Sequence, residues 1–92
     1  MIVRFTPRAE ADLESIRSYL IERSPQGANN VGASIERGIQ FIADHPLGGT
    51  KIKPPLFAKV LTDYPYKIFY RVCDGYIEIL HIRHAARRQW HD

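Results

Sequence analysis

Apolar positions along the 92-residue chain follow two periods, one of strands and one of helices. Residues 2–5 (IVRF) form a short apolar run and read as a strand. Thr6-Pro7 stops that run and starts a helix, because a threonine hydroxyl caps the first turn and proline suits a position that needs no N–H. Ala9, Leu13, Ile16 and Leu20 recur at helical spacing and make one apolar stripe, with Tyr19 at its border. Glu10, Asp12 and Glu14 lie toward the positive end of the helix dipole. Ser24-Pro25 repeats the cap-and-proline signal. It opens a second helix whose stripe is Ala28, Val31, Ile35, Ile39 and Ile42, with Phe41 off it. Asp44-His45-Pro46 ends that helix, since proline disfavours a helical residue before it. Two helices joined so tightly fold back as an antiparallel hairpin.

Residues 46–55 (PLGGTKIKPP) read as a loop, because their two glycines and three prolines disfavour regular structure. Residues 56–61, 66–72 and 76–82 read as three further strands. A turn at residues 62–65 and the hairpin signal Cys73-Asp74-Gly75 separate them. In the last strand, alternation points Ile77, Ile79 and His81 one way and Tyr76, Glu78, Leu80 and Ile82 the other. From Ile79 to Ile82 both faces are largely apolar, the dressing of a strand with neighbours on each side. Strand 1 therefore belongs beside strand 4. The expected fold is α+β in a single domain spanning 1–92: an N-terminal strand, an antiparallel helical hairpin, then a three-stranded antiparallel meander.

Composition narrows the setting. The apolar fraction of 45% and charged fraction of 25% suit a soluble globular chain. One cysteine, Cys73, cannot make an internal disulfide, which points to a reducing compartment. No apolar run approaches the ~20 residues of a membrane helix, and the first residues lack a signal-peptide layout. The expectation is a cytoplasmic protein without a membrane partner. Charge is lopsided: residues 1–46 hold five arginines against six acids, a net −1, and residues 47–92 hold eight Lys and Arg against four acids, a net +4. That asymmetry hints at an anionic partner.

The candidate chemistry clusters at the C-terminal end. Arg83, Arg87 and Arg88 offer guanidinium forks for phosphate or carboxylate, and Trp90 offers an indole for stacking. His84, just after the strand, can act as a general acid or base beside Arg83. His81 and His84 are three apart, which on a strand puts them on opposite faces, so neither a metal site nor a cofactor site is expected. Gly48-Gly49-Thr50-Lys51 lacks the spacing of a phosphate-cradling loop and reads as a turn. Neither a nucleophile–base pair nor a carboxylate pair is evident. Leu13, Tyr19, Phe41, Phe57 and Phe69 either close the core or line an apolar groove that receives an amphipathic segment of a partner.

The order of these features (a short strand, a helical hairpin ending in DHPLGG, then PYKIFYRV and IEILHIRHAARRQW) resembles the RelE/ParE superfamily of bacterial type II toxins over nearly the whole chain. The resemblance implies an α+β sandwich with one curved sheet and a toxin paired with a cognate antitoxin, ParD-like or similar, that wraps it. RelE-like members cut mRNA in the ribosome with basic residues on the sheet face. ParE-like members poison DNA gyrase. The helices and the HIRHAARRQW ending look more ParE-like, with Arg83, Arg87, Arg88 and Trp90 as the target-binding end. A RelE-like endonuclease is the alternative. It would draw its site from Lys51, Lys53, Arg71, Arg83, His84, Arg87 and His91, without the C-terminal tyrosine such enzymes often carry.

Overall fold

A computed structural model describes residues 1–85. The order of elements is β1 (Ile2–Phe5), α1 (Pro7–Arg23), α2 (Pro25–Asp44), β2 (Thr50–Lys53), β3 (Leu56–Val60), β4 (Tyr66–Cys73) and β5 (Tyr76–His84). Both helix starts are built as their sequences imply. Thr6 Oγ1 accepts from the Ala9 N–H at 3.0 Å and Ser24 Oγ from the Gly27 N–H at 3.0 Å. Ser24 also closes α1, its N–H donating to the Leu20 carbonyl at 2.7 Å, so one residue ends a helix and caps the next.

The strands form one five-stranded sheet in the order β1-β5-β4-β3-β2. β1 runs parallel to β5, and the other neighbours are antiparallel. The doubly apolar last strand thus lies inside the sheet between β1 and β4, as its pattern implies.

Two details differ from the sequence reading. The 46–55 loop contains an edge strand, β2, because its prolines and glycines flank Thr50–Lys53 rather than interrupt it. Two exposed lysines on that strand are the dress expected of a sheet edge. The second difference is a register shift. Tyr70 pairs with Ile79 and Phe69 with His81, leaving Leu80 as an extra residue in β5. The bulge reverses the alternation, so Ile82 joins Ile77 and Ile79 in the core and His81 does not.

The core lies between one sheet face and the hairpin. Ala9 of α1 and Val31, Ile35 and Ile42 of α2 pack with Phe57, Ile68, Tyr70, Ile77, Ile79 and Ile82. Gly38 lets α2 come close: a Cβ there would sit 2.6 Å from a Leu61 methyl. Ala9 is the one fully buried residue of α1. That helix rides on the sheet with much of its flank open, which creates the clefts described next.

Candidate functional site

β1 ends at Phe5, but β5 runs on to His84. Past that point the β5 backbone has α1 as its neighbour in place of a strand. The Thr6 N–H donates to the Ile79 carbonyl at 3.1 Å, and the Thr6 hydroxyl donates to the Leu80 carbonyl at 3.0 Å. The Asp12 carboxylate accepts from the Ile82 N–H at 2.9 Å and lies 2.5 Å from His81 Nδ1. Arg8, one turn earlier, reaches both partners at 3.4 Å: Asp12 through Nε and His81 Nε2 through Nη2. Side chains of the first two turns of α1 therefore satisfy the bulge and hold the end of β5.

Beside this junction lies a cleft of about 630 Å³, bounded by Arg8, Ser15, Tyr19, Tyr64, Arg83 and His84. Its lining mixes aromatic and apolar surface with cations. The His84 ring meets Tyr66 edge-on at 5.3 Å. His81 and His84 both line this cleft, contrary to the expectation from alternation, because it opens at the strand's edge and takes residues from either face. Among the described residues no cluster of three His, Cys, Asp or Glu side chains could hold a metal.

The sheet face turned away from the core is cationic. Cross-strand partners share a face. One row across the sheet reads Lys53, Leu56, Arg71, Glu78, Arg4. A second reads Ala58, Phe69, His81, and a third Val60, Lys67, Arg83. Within these rows five cations face one acid, Glu78. Arg71 donates to Glu78, and that hydrogen bond and charge raise the Arg71 pKa further above its usual range. Phe69 and His81 stack at 6.0 Å in the middle of the face.

The residues singled out from the sequence are distributed unevenly. Arg83 and His84 border the cleft, and Arg71 is tied to Glu78. Lys51 pairs with Phe57 and Lys53 with Leu56 across an irregularity in β2, so the two lysines project to opposite faces. Arg87, Arg88, Trp90 and His91 lie outside the described residues.

Of the residues assigned to a partner groove, Tyr19 is 51% exposed at the cleft, its ring 3.7 Å from the Arg23 guanidinium. Leu13 lines a different groove, between the helices. Phe41 is held by Lys59 and His45, and Phe69 lies on the far sheet face. Phe57 is 2% exposed and stacks on Tyr70 within the core, which removes it from any surface. The five do not form one groove. Sequence reasoning passed over Arg8, Asp12 and Lys67. Arg8 and Asp12 carried a signal, an i, i+4 charge pair on the helix that follows strand 1.

A family model described as "ParE toxin of type II toxin-antitoxin system, parDE" matches residues 3–89. The chain belongs to the ParE toxin family. Relatives agree. It is 35% identical over 85 residues to Toxin RelE2 of Caulobacter vibrioides, covering 92% of this chain and 96% of that one. It is 36% identical over 90 residues to Putative toxin Y4kP of Sinorhizobium fredii, covering 96% and 91%.

Solved structures share the fold. The chromosomal ParDE toxin–antitoxin system from P. aeruginosa aligns with a TM-score of 0.75 at 24% identity, over 91% of this chain and 95% of that one. The RelBE2 toxin–antitoxin complex of Mycobacterium tuberculosis gives 0.59 at 24% identity, over 90% and 95%. Isolated E. coli RelE gives 0.60 at 12% identity, over 98% and 89%. This ParE family member is thus a type II toxin on the shared RelE/ParE fold. No helix among its described residues is long and apolar enough to cross a membrane.

Proposed function

We propose that this toxin acts in the cytoplasm on DNA gyrase through its basic C-terminal end, without cutting RNA, and that a cognate antitoxin silences it from the adjacent cleft. The observation that carries the first half is that, among the described residues, Lys51, Lys53 and Arg71 do not gather with Arg83 and His84 at the cleft. Lys51 and Lys53 project to opposite faces, and Arg71 is neutralised by Glu78 in the middle of the sheet. A phosphodiester held there would face a carboxylate. A protein target needs no converged acid and base. It needs a charged, aromatic contact surface, which the cationic end of β5 begins to supply at Arg83.

The antitoxin half rests on the cleft. It offers Tyr19 and Tyr64 as aromatic anchors, and it borders Arg83. A segment seated there would cover the base of the target-binding end, so binding and neutralisation would be one event. Partners in this mode are amphipathic segments whose apolar anchors fill such a cleft. The test is inhibition of gyrase supercoiling by the purified toxin, relieved by stoichiometric antitoxin. Untouched supercoiling overturns the gyrase reading.

A second reading has one observation in its favour: the five cations around stacked Phe69 and His81 suit a nucleic-acid backbone. On that reading the toxin cleaves ribosome-bound mRNA with Arg83 and His84 at its site. Cut message in a purified-ribosome assay, lost with Arg83→Ala, would establish it.

A further inference from the structure

The end of β5 outlasts its neighbours on both sides. β4 begins at Tyr66, opposite His84, so Ala85 lies one residue past the end of that ladder. Its N–H goes instead to the Pro65 carbonyl at 2.6 Å, in the turn that leads into β4. On the opposite edge of the strand the Ile82 N–H is taken by Asp12. The end of β5 is thus held from α1 on one edge and from the 62–65 turn on the other. It is held where the sequence goes on to Arg87, Arg88 and Trp90.

A surface turn is a loose anchor unless something fixes it. Here α2 does. Asp63, within the turn, accepts from the Ser34 hydroxyl at 2.6 Å and from Arg37 at 2.9 Å. Arg37 is an exposed partner, and an exposed ion pair fixes little by itself. Ser34 is 2% exposed, on the face of α2 that also buries Val31, Ile35, Gly38 and Ile42. A hydroxyl there carries a desolvation cost that alanine would not, and alanine is the better helix former. The core has no use for that hydroxyl, whereas the turn does.

We infer that Ser34 and Asp63 are positioning residues for the toxin's target-binding end. Their hydrogen bond fixes the 62–65 turn, and the Pro65 carbonyl then sets the course on which β5 delivers the basic residues beyond Ala85. Neither side chain lines the cleft, so both act through the turn's backbone. A surface held in its binding geometry before the target arrives loses less freedom on binding. This role rests on the proposed one of the C-terminal end, and it is the same whichever target that end meets.

Amide hydrogen exchange on the purified full-length toxin, set beside growth arrest at matched toxin levels in cells, decides it. In Ser34→Ala and in Asp63→Ala the Ala85 amide should exchange roughly tenfold faster or more, as a locally opened segment does, while the Ile82 amide keeps its rate. The toxin level needed for arrest should rise roughly fivefold or more in both, the scale of lost preorganisation. The double variant should be no worse than Asp63→Ala, since the two changes break one link. Tyr70→Phe, which weakens the fold at the loop before β2, should leave both readouts at their wild-type values. An Ala85 amide indifferent to the two variants overturns the inference. So does arrest undiminished in them while Arg83→Ala loses it, or an equal effect of Tyr70→Phe. Arrest that survives Arg83→Ala, or that the wild type never causes, marks instead the failure of the C-terminal assignment and removes this role with it.

Discussion

Asp12 and His81 stand 69 residues apart in the chain, yet the carboxylate lies 2.5 Å from the imidazole Nδ1. The same carboxylate oxygen accepts the Ile82 N–H. This pair fastens α1 to β5 where β1 has ended, and so fixes the wall of the cleft that leads to Arg83. Removing the carboxylate strands a part-buried backbone donor, at a cost of about 1–3 kcal/mol. Asp12→Ala should therefore lower the unfolding free energy, read from urea titration, by that amount. Asp12→Asn, which still offers an acceptor to Ile82, should lose less. Equal losses would show that the anion alone matters and that the backbone bond does not.

The loop before β2 is held by one hydroxyl. Tyr70 donates to the Pro46 carbonyl at 2.8 Å and accepts from the Gly49 N–H at 3.2 Å. Burial raises the Tyr70 pKa, so the neutral phenol is the form the fold keeps. Tyr70→Phe should cost about 1–3 kcal/mol. Gly49→Ala should cost a similar amount, because its Cβ would sit 2.5 Å from that hydroxyl and 2.7 Å from the Ala58 carbonyl. Thermal melts of both variants check this. The raised folded-state pKa also means that stability is held below the tyrosine's unfolded value and lost as pH rises past about 10.

Asp63 clamps the β3–β4 turn to α2. It accepts from Ser34 at 2.6 Å and from Arg37 at 2.9 Å. The Ser34 hydrogen bond is the chief reason its pKa is lowered. A depressed folded-state pKa gives stability that is present above the unfolded value and lost as pH falls through the folded one. Wild type and Asp63→Asn melting temperatures should thus converge below about pH 4 and separate above it. Parallel curves from pH 3 to 7 would contradict the assignment.

Two aromatics separate folding from binding. Phe57→Ala empties a core position and should cost about 3–5 kcal/mol. Tyr19→Ala, at an exposed site, should change stability by about 0.5 kcal/mol or less. It should still weaken antitoxin affinity by roughly tenfold or more, as loss of a tyrosine anchor does. Calorimetric titration of the two variants with the antitoxin distinguishes these effects.

The order of elements was legible because each boundary carries its own chemistry: Thr6-Pro7, Ser24-Pro25 and Asp74-Gly75 act locally. The place of the last strand was legible too, since apolar residues on both its faces demand neighbours. The Leu80 bulge was not. An extra residue in a strand leaves no mark in a run already apolar on both faces, so His81 was assigned to the wrong side. β2 was masked by the prolines that bracket it. For the candidate site, Arg83 and His84 were marked by the change from apolar to charged at the end of the strand. The Arg8–Asp12–His81 contact was not foreseeable, because it joins the first helix to a bulge that only the folded sheet reveals.

On the proposed reading, this toxin binds its target through a cationic end without cutting RNA. The most direct measurement runs two assays on one preparation: supercoiling by purified gyrase, and cleavage of mRNA on purified ribosomes. Loss of supercoiling, weakened by Arg83→Ala, is expected with intact message at the same toxin concentration. Cleaved message alongside unimpaired supercoiling would contradict it.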